Sequence, residues 1–309
     1  MGFLYFLEKI RIPVLNEFML AITNLGAETA FLVIALALFW CIDKRRGYYI
    51  LSVGFIGTIF NQFMKICFRV PRPFETDPNF TILEQAREEA TGFSFPSGHT
   101  QCSVGTFGGI AYTAKQKWVR IAGVVIAVLV PFSRMYVGVH TPQDVLVAAA
   151  IAVALIFILK PLFYDDGGKY IPVVLGIMTL LAVGYICFVN FYEFPIGVDF
   201  ERVLSGIESA YTLLGALLGL LVVYFVDEKW LKFSTVAVWY AQIMKVVLGL
   251  GAVLLVKSGT KTVLNLLFGE YVGRSVRYFL IVILAGIVWP LSFKLFAKLG
   301  KKKEIEAED

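Results

Sequence analysis

Apolar runs of near-membrane length follow one another along almost the whole chain, separated by short polar breaks. They cover residues 25–42, 47–67, 98–114, 119–137, 143–163, 170–192, 209–226, 235–256 and 276–297. A bilayer core about 30 Å thick requires about 20 consecutive apolar residues of helix. The pattern therefore predicts an all-α, polytopic transmembrane helical bundle of about nine spans. The runs near 98 and 209 are short and contain glycine, so eight or ten spans also fit. Before the first run, Glu8, Lys9, Arg11 and Glu17 interrupt Phe3, Leu4, Phe6, Leu7, Ile10, Val14, Leu15, Phe18 and Met19. That spacing breaks any signal-peptide core and predicts a helix lying at the interface. Four sections result: an interfacial helix over 1–24, five spans over 25–163, further transmembrane helices over 164–300, and a charged tail over 301–309.

Composition agrees with a bilayer environment. Of the 309 residues, 58% are hydrophobic and 17% charged, against about 25% charged in soluble domains, and the mean hydropathy is +0.76. Cys41, Cys67, Cys102 and Cys187 all fall in apolar stretches, which suggests packing rather than disulfides or a zinc site. Charge bears on orientation. Lys245 lies within the eighth run; of the other 27 Lys and Arg residues, 15 fall on one side and 12 on the other. Setting aside Lys65, Arg72 and Arg134 as candidates for chemistry widens the difference to 15 against 9. The first side, which carries Lys301 to Lys303, is thus expected to be cytoplasmic. Two spacings of the GxxxG kind, Gly105 to Gly109 and Gly215 to Gly219, suggest close helix packing.

The only two histidines, His99 and His140, both stand where a polar loop meets a span, on the same side of the membrane. Lys65, Arg72 and Arg134 lie on that face as well. Three cations and two imidazoles suit a doubly charged phosphate and proton transfer. The blocks read Lys65-x6-Arg72-Pro73, then Pro96-Ser97-Gly98-His99, then Ser133-Arg134-x5-His140-x3-Asp144.

This three-part pattern resembles the signature of the type 2 phosphatidic acid phosphatase superfamily, which includes lipid phosphate phosphatases, undecaprenyl diphosphate phosphatases, glucose-6-phosphatase and vanadium haloperoxidases. Every fixed position is filled, in order, and the resemblance covers residues from about 25 to 163. It implies a hydrolase acting through a phosphohistidine.

The residue types suit those roles on physical grounds. Thr141-Pro142 is a helix start, so Asp144 falls one turn beyond His140, where its carboxylate can orient the imidazole as nucleophile. Thr141-x-x-Asp144 is also a capping box, and the two roles are compatible. Ser97 and Gly98 open a span, and their amides are expected to face bound phosphate; Ser97 also suits a plain N-cap. His99 is placed to protonate the leaving oxygen. Lys65, Arg72 and Arg134 would neutralise the transition state, although Lys65 and Arg134 could also be snorkelling side chains.

No cofactor or metal is expected, since neither a carboxylate cluster nor a His/Cys set with ligand spacing is visible. Lys245, costly in mid-span, could contact substrate or be satisfied by Tyr240, Gln242 and loop groups. Lys257, Lys261, Arg274 and Arg277 make the last site-side loop basic, most simply as a solvated interfacial loop.

The expected partner is a phosphorylated lipid in the bilayer, such as phosphatidate, a sphingoid phosphate or a polyprenyl diphosphate, and no nucleic acid. The expected setting is a bacterial plasma membrane or an ER-type membrane, with the site facing outside or the lumen. A soluble sugar phosphate is the alternative substrate, and a non-catalytic lipid transporter or scaffold a further one.

Overall fold

In the computed structural model, which describes residues 1–87 and 90–299, every regular element among the described residues is helical. Among the described residues, seven segments are long and apolar enough to cross a membrane: Lys44–Thr76, Lys117–Tyr136, Pro142–Gly168, Ile171–Phe191, Phe200–Leu231, Trp239–Gly259 and Glu270–Lys298. The pair α2 (Pro13–Asn24) and α3 (Glu28–Cys41), bent by 52°, makes an eighth if counted as one broken span. The run expected over 98–114 accounts for the difference from nine. There α6 (Gly98–Ser103), a π turn (Val104–Gly108) and α7 (Gly109–Thr113) have six, five and five residues, short of a full crossing.

The single interfacial helix expected over 1–24 is two helices, α1 (Gly2–Lys9) and α2, because Pro13 opens the second. On α1, Leu4 and Leu7 are buried, whereas Phe3 and Phe6 are exposed. Leu4 packs with Phe80 and Ile82, so the helix presents one apolar face to the loop before the site and leaves another uncovered. The tail over 301–309 lies outside the described residues.

The chain divides into two compact units, and neither is a continuous stretch. One comprises Met1–Leu32, Ile50–Pro161 and Phe188–Ser209; the other comprises Val33–Tyr49, Leu162–Cys187 and the chain from Ala210 onward.

In the first unit, α2, α6 and α7 pack on α8 (Lys117–Tyr136). The bend between α2 and α3 depends on Gly26. A Cβ there would lie 2.6 Å from Val130 Cγ1 and 3.0 Å from the His99 carbonyl oxygen, so only glycine lets the bend close against α6 and α8. After α8 the chain turns through Gly138 at φ +93, a conformation that glycine adopts without strain. It then enters α9 (Pro142–Tyr164). Those two glycines set His99 and His140 at their helix ends. Helix α4 (Lys44–Phe68) leads to the short α5 (Pro73–Thr76), and Gly105 comes close to α4, with Val53 Cγ1 3.1 Å from the place of a Cβ.

The second unit includes α10 (Ile171–Phe191) up to Cys187, α11 (Phe200–Val226) from Ala210, then α12 (Trp239–Gly259), α13 (Lys261–Phe268), α14 (Glu270–Ile283), α15 (Trp289–Leu291) and α16 (Phe293–Lys298). Gly215 and Gly219 face α14, where a Cβ would meet the Ser275 carbonyl oxygen at 2.0 Å and Val282 Cβ at 2.9 Å. Both glycine pairs thus include close packing within the chain. Lys245 is fully buried; Nζ donates to the Thr235 carbonyl at 3.2 Å and lies 4.5 Å from the Phe293 ring centroid. Tyr240 and Gln242, expected to satisfy it, donate instead to carbonyls of Leu299, Cys41 and Thr235. Of the basic group near the last turn, Lys257 and Lys261 are exposed but Arg277 is 5% exposed, so the reading of that segment as wholly solvated does not extend to Arg277.

Candidate active site

Each of the eight residues singled out from the sequence belongs to the first unit. Lys65 is in the last turn of α4, and its Nζ donates to the Phe93 carbonyl. Arg72 is in extended backbone before Pro73. Its Nη1 donates to the Val139 carbonyl at 3.1 Å and lies 3.4 Å from His140 Nε2, while Nη2 donates to the Thr91 carbonyl at 2.8 Å. Arg134, in the last turn of α8, is fully buried and donates through Nη1 to Thr23 Oγ1 at 2.8 Å.

On the other side of the imidazole, His140 Nδ1 is 3.4 Å from Asp144 Oδ2. The same oxygen accepts a hydrogen bond from the Thr141 amide at 2.7 Å, and the Asp144 amide reaches Thr141 Oγ1 at 3.3 Å. The capping box and the His140 contact therefore coexist on one carboxylate. Ser94, fully buried, donates through Oγ to Asp144 Oδ2 at 2.7 Å and lies 3.4 Å from His140 Nδ1.

With a proton on Nδ1 facing Asp144, Nε2 would present a lone pair on the side of Arg72, the state required for attack. Electrostatics favours the uncharged ring. Burial, followed by the charges of Arg72, Arg134, Lys65 and His99, holds the His140 imidazole well below its ordinary pKa.

One expectation needs correction. The Ser97 amide does not face outward for a phosphate, because the chain enters α6 extended and this N–H donates to the Asp144 carbonyl at 3.1 Å. The Ser97 side chain caps the helix instead. Its Oγ accepts from the Thr100 amide at 3.4 Å and from Thr100 Oγ1 at 3.0 Å. Gly98 leaves open space, with Asn61 Oδ1 as the nearest atom to a Cβ, at 3.9 Å. His99, in the first turn of α6, is partly exposed while His140 is 2% exposed.

Ser94 and Thr23 were not legible as site residues. Ser94 stands in a Phe-Ser-Phe-Pro stretch whose only signal is its place three residues before Ser97. Thr23 is an unremarkable residue of α2.

Residues 45–167 match the model of the PAP2 superfamily, and residues 211–303 match that of the PAP2 superfamily phosphatase transmembrane extension. The chain is 34% identical over 164 residues to phosphatidylglycerophosphatase B of Bacillus subtilis, covering 49% of this chain and 76% of that protein. It is 33% identical over 138 residues to an undecaprenyl-diphosphatase of Sulfolobus acidocaldarius, covering 44% and 65%. A further relative, undecaprenyl-diphosphatase BcrC of Bacillus subtilis, is 28% identical over 147 residues, covering 47% and 73%. No solved structure matches. The chain belongs to the PAP2 superfamily. It is an integral membrane phosphatase, a helical bundle carrying the transmembrane extension of that superfamily.

Proposed function

We propose that this protein removes phosphate from a phosphorylated lipid, a monoester or a diphosphate, through a phosphohistidine at His140. The observation that carries the reading is the placement of His140 between the Arg72 guanidinium on the Nε2 side and the Asp144 and Ser94 oxygens on the Nδ1 side. Phosphorus is attacked by Nε2, the P–O bond to the lipid breaks, and His99 supplies the proton that makes the lipid alcohol or phosphate a stable leaving group. Lys65, Arg72 and Arg134 spread the charge of the equatorial oxygens, and the amides of α6 from Gly98 onward take the role first expected of Ser97. Water then cleaves the phosphorus–nitrogen bond, releasing inorganic phosphate and restoring His140.

A lipid substrate is favoured over a soluble sugar phosphate because the relatives named above are a phosphatidylglycerophosphatase and two undecaprenyl-diphosphatases. The asymmetry of basic residues supports a site facing away from the cytoplasm. A cysteine introduced at Asn79 should therefore react with an impermeant thiol reagent in intact cells; labelling only after permeabilisation would reverse the orientation.

The substrate reading is tested by phosphate release from purified protein across phosphatidylglycerophosphate, undecaprenyl diphosphate, phosphatidate and glucose 6-phosphate, with excess chelator present. At least one lipid should exceed glucose 6-phosphate by about 100-fold in kcat/KM, or roughly 2.7 kcal/mol of transition-state binding. Preference for the sugar phosphate, or dependence on added Mg2+, would overturn the reading.

A further inference from the structure

Helix α11 begins at Phe200, beyond residues 45–167 and before residues 211–303, the two segments that match family models. Its first turn nevertheless makes polar contacts with the site loops. Arg202 Nη1 and Nη2 grip the two carboxylate oxygens of Glu75 at 2.9 and 2.6 Å, and Nε meets Asp199 Oδ2 at 2.8 Å. The guanidinium carbon lies 5.8 Å from the Phe93 ring centroid. Two of these partners, Glu75 and Phe93, lead onward to a site cation. Glu75 Oε2 accepts the backbone amide of Arg72 at 2.8 Å, and the Phe93 carbonyl accepts Lys65 Nζ. A cavity of about 40 Å³ beside Lys65 has Thr91, Phe93, Arg202 and Ser205 among its walls.

Stability alone is a poor reason for this arrangement. The Arg202 and Glu75 side chains are 25% and 26% exposed, and a pair so exposed adds at most about 1 kcal/mol to folding, its bidentate geometry and the Asp199 contact placing it at the upper end of that range. Their geometry is more demanding than folding requires. The contact is a bidentate fork, a pairing that fixes direction as well as distance. It orients a carboxylate whose second task is to hold the backbone of Arg72 where that residue leaves extended conformation for α5.

We infer that Arg202 is a positioning residue for the phosphatase reaction, bracing through Glu75 and Phe93 the two backbone segments that hold Arg72 and Lys65 at the phosphate. The inference rests on the phosphate-binding role proposed for those two cations. Arg202 need not touch substrate; it limits the freedom of the groups that do. A displacement of about 1 Å in a catalytic group can cost about 100-fold in rate, so loosening this brace acts on turnover more than on folding.

The discriminating experiment uses the full-length protein in detergent and measures kcat/KM, the vanadate inhibition constant and thermal stability for five variants. Arg202→Ala should lower kcat/KM by about 10- to 100-fold and raise the vanadate inhibition constant by a similar factor, since vanadate adopts the trigonal-bipyramidal form. Arg202→Lys keeps the charge but loses the fork, and should fall between Arg202→Ala and wild type. Glu75→Gln retains an acceptor for the Arg72 amide and should lose less than Arg202→Ala.

The double variant Glu75→Arg with Arg202→Glu restores an ion pair, but the arginine that replaces Glu75 has no acceptor for the Arg72 amide. It should keep a thermal stability close to wild type while remaining impaired in turnover and vanadate binding. Recovery of turnover and vanadate affinity by that double variant, or a change below about twofold in both quantities for Arg202→Ala, would overturn the inference. Arg72→Ala is the fifth variant. If it bound vanadate as wild type does, the phosphate role of Arg72 would fall first, and the inference with it.

Discussion

Arg72 and Arg134 in one unit and Lys245 and Arg277 in the other are all cations withdrawn from solvent, yet their surroundings differ in kind. Arg72 meets an imidazole and two backbone carbonyls, and beyond that imidazole lie a carboxylate and a hydroxyl. Among the described residues, Lys245 meets a carbonyl and an aromatic face, and Arg277 lies beside the Tyr278 ring, 5.6 Å from its centroid. Burial of charge is thus shared by both regions; among the described residues, the first also brings its cations to an imidazole held by a carboxylate. An ammonium over a ring is adequately explained by local compensation of its cost, whereas the set around His140 is what the proposed phosphoryl transfer calls for.

The comparison is broken most severely at its centre. His140→Ala should abolish turnover on every substrate, a loss on the order of 10,000-fold or more, as when a nucleophile is removed from a catalytic unit. Asp144→Asn should follow, with a loss of about 1,000-fold or more because the tautomer and the developing imidazolium both lose their support; an amide oxygen can still accept the Thr141 amide, so stability should change by less than about 1 kcal/mol. Ser94→Ala removes one hydroxyl hydrogen bond to the same carboxylate and should cost about 10- to 100-fold. Steady-state kinetics on the preferred lipid, with melting measured in parallel, checks all three.

His99→Ala sharpens the contrast within the site. If His99 is the general acid, its loss should cost about 100- to 10,000-fold on a lipid alkoxide, roughly 3 to 5 kcal/mol of barrier. The cost should be much smaller on p-nitrophenyl phosphate, whose phenolate departs without a proton. Equal losses on both substrates would remove the assignment.

The pH profile sharpens it further. The buried His140, with cations around it, stays neutral below the ordinary imidazole value. Protonation would block attack, so kcat/KM should hold as pH falls through about 6.5 and decline only at lower pH. An acid limb above 6.5 would contradict that environment.

The smallest expected effect belongs to the other unit. Lys245→Met removes a buried charge whose partners are a carbonyl and a ring, and such exchanges are often neutral or stabilising. We expect kcat/KM within about twofold of wild type, with stability unchanged or higher by about 1 kcal/mol. A loss of tenfold in activity would place Lys245 in the reaction.

How much could be read from sequence follows from the range of the interactions involved. The His140 and Asp144 contact is a one-turn relation within the start of a helix, and the cations fall at the ends of apolar runs, so both were legible. Ser94 was not, because its bond to Asp144 spans 50 residues and nothing local distinguishes that serine. The Ser97 amide departs from its expected role for the same reason: helix N-termini favour anions in general, but this N–H is taken by the carbonyl of a residue from α9. Lys245 was recognised as costly, yet its aromatic partner, Phe293, lies 48 positions away. The short helix over 98–113 had a readable glycine content; its insufficient length for a full crossing was obscured by the adjoining apolar residues.

The most direct test of the phosphohistidine is rapid quenching of a single turnover with a radiolabelled phosphate donor. The account predicts a transient label on the protein that is stable in alkali, labile in acid and mapped to His140. It further predicts that the label is absent from His140→Ala and forms in His99→Ala when p-nitrophenyl phosphate is the donor. Label on any other residue, or turnover in His140→Ala with inversion of configuration at phosphorus, would contradict it.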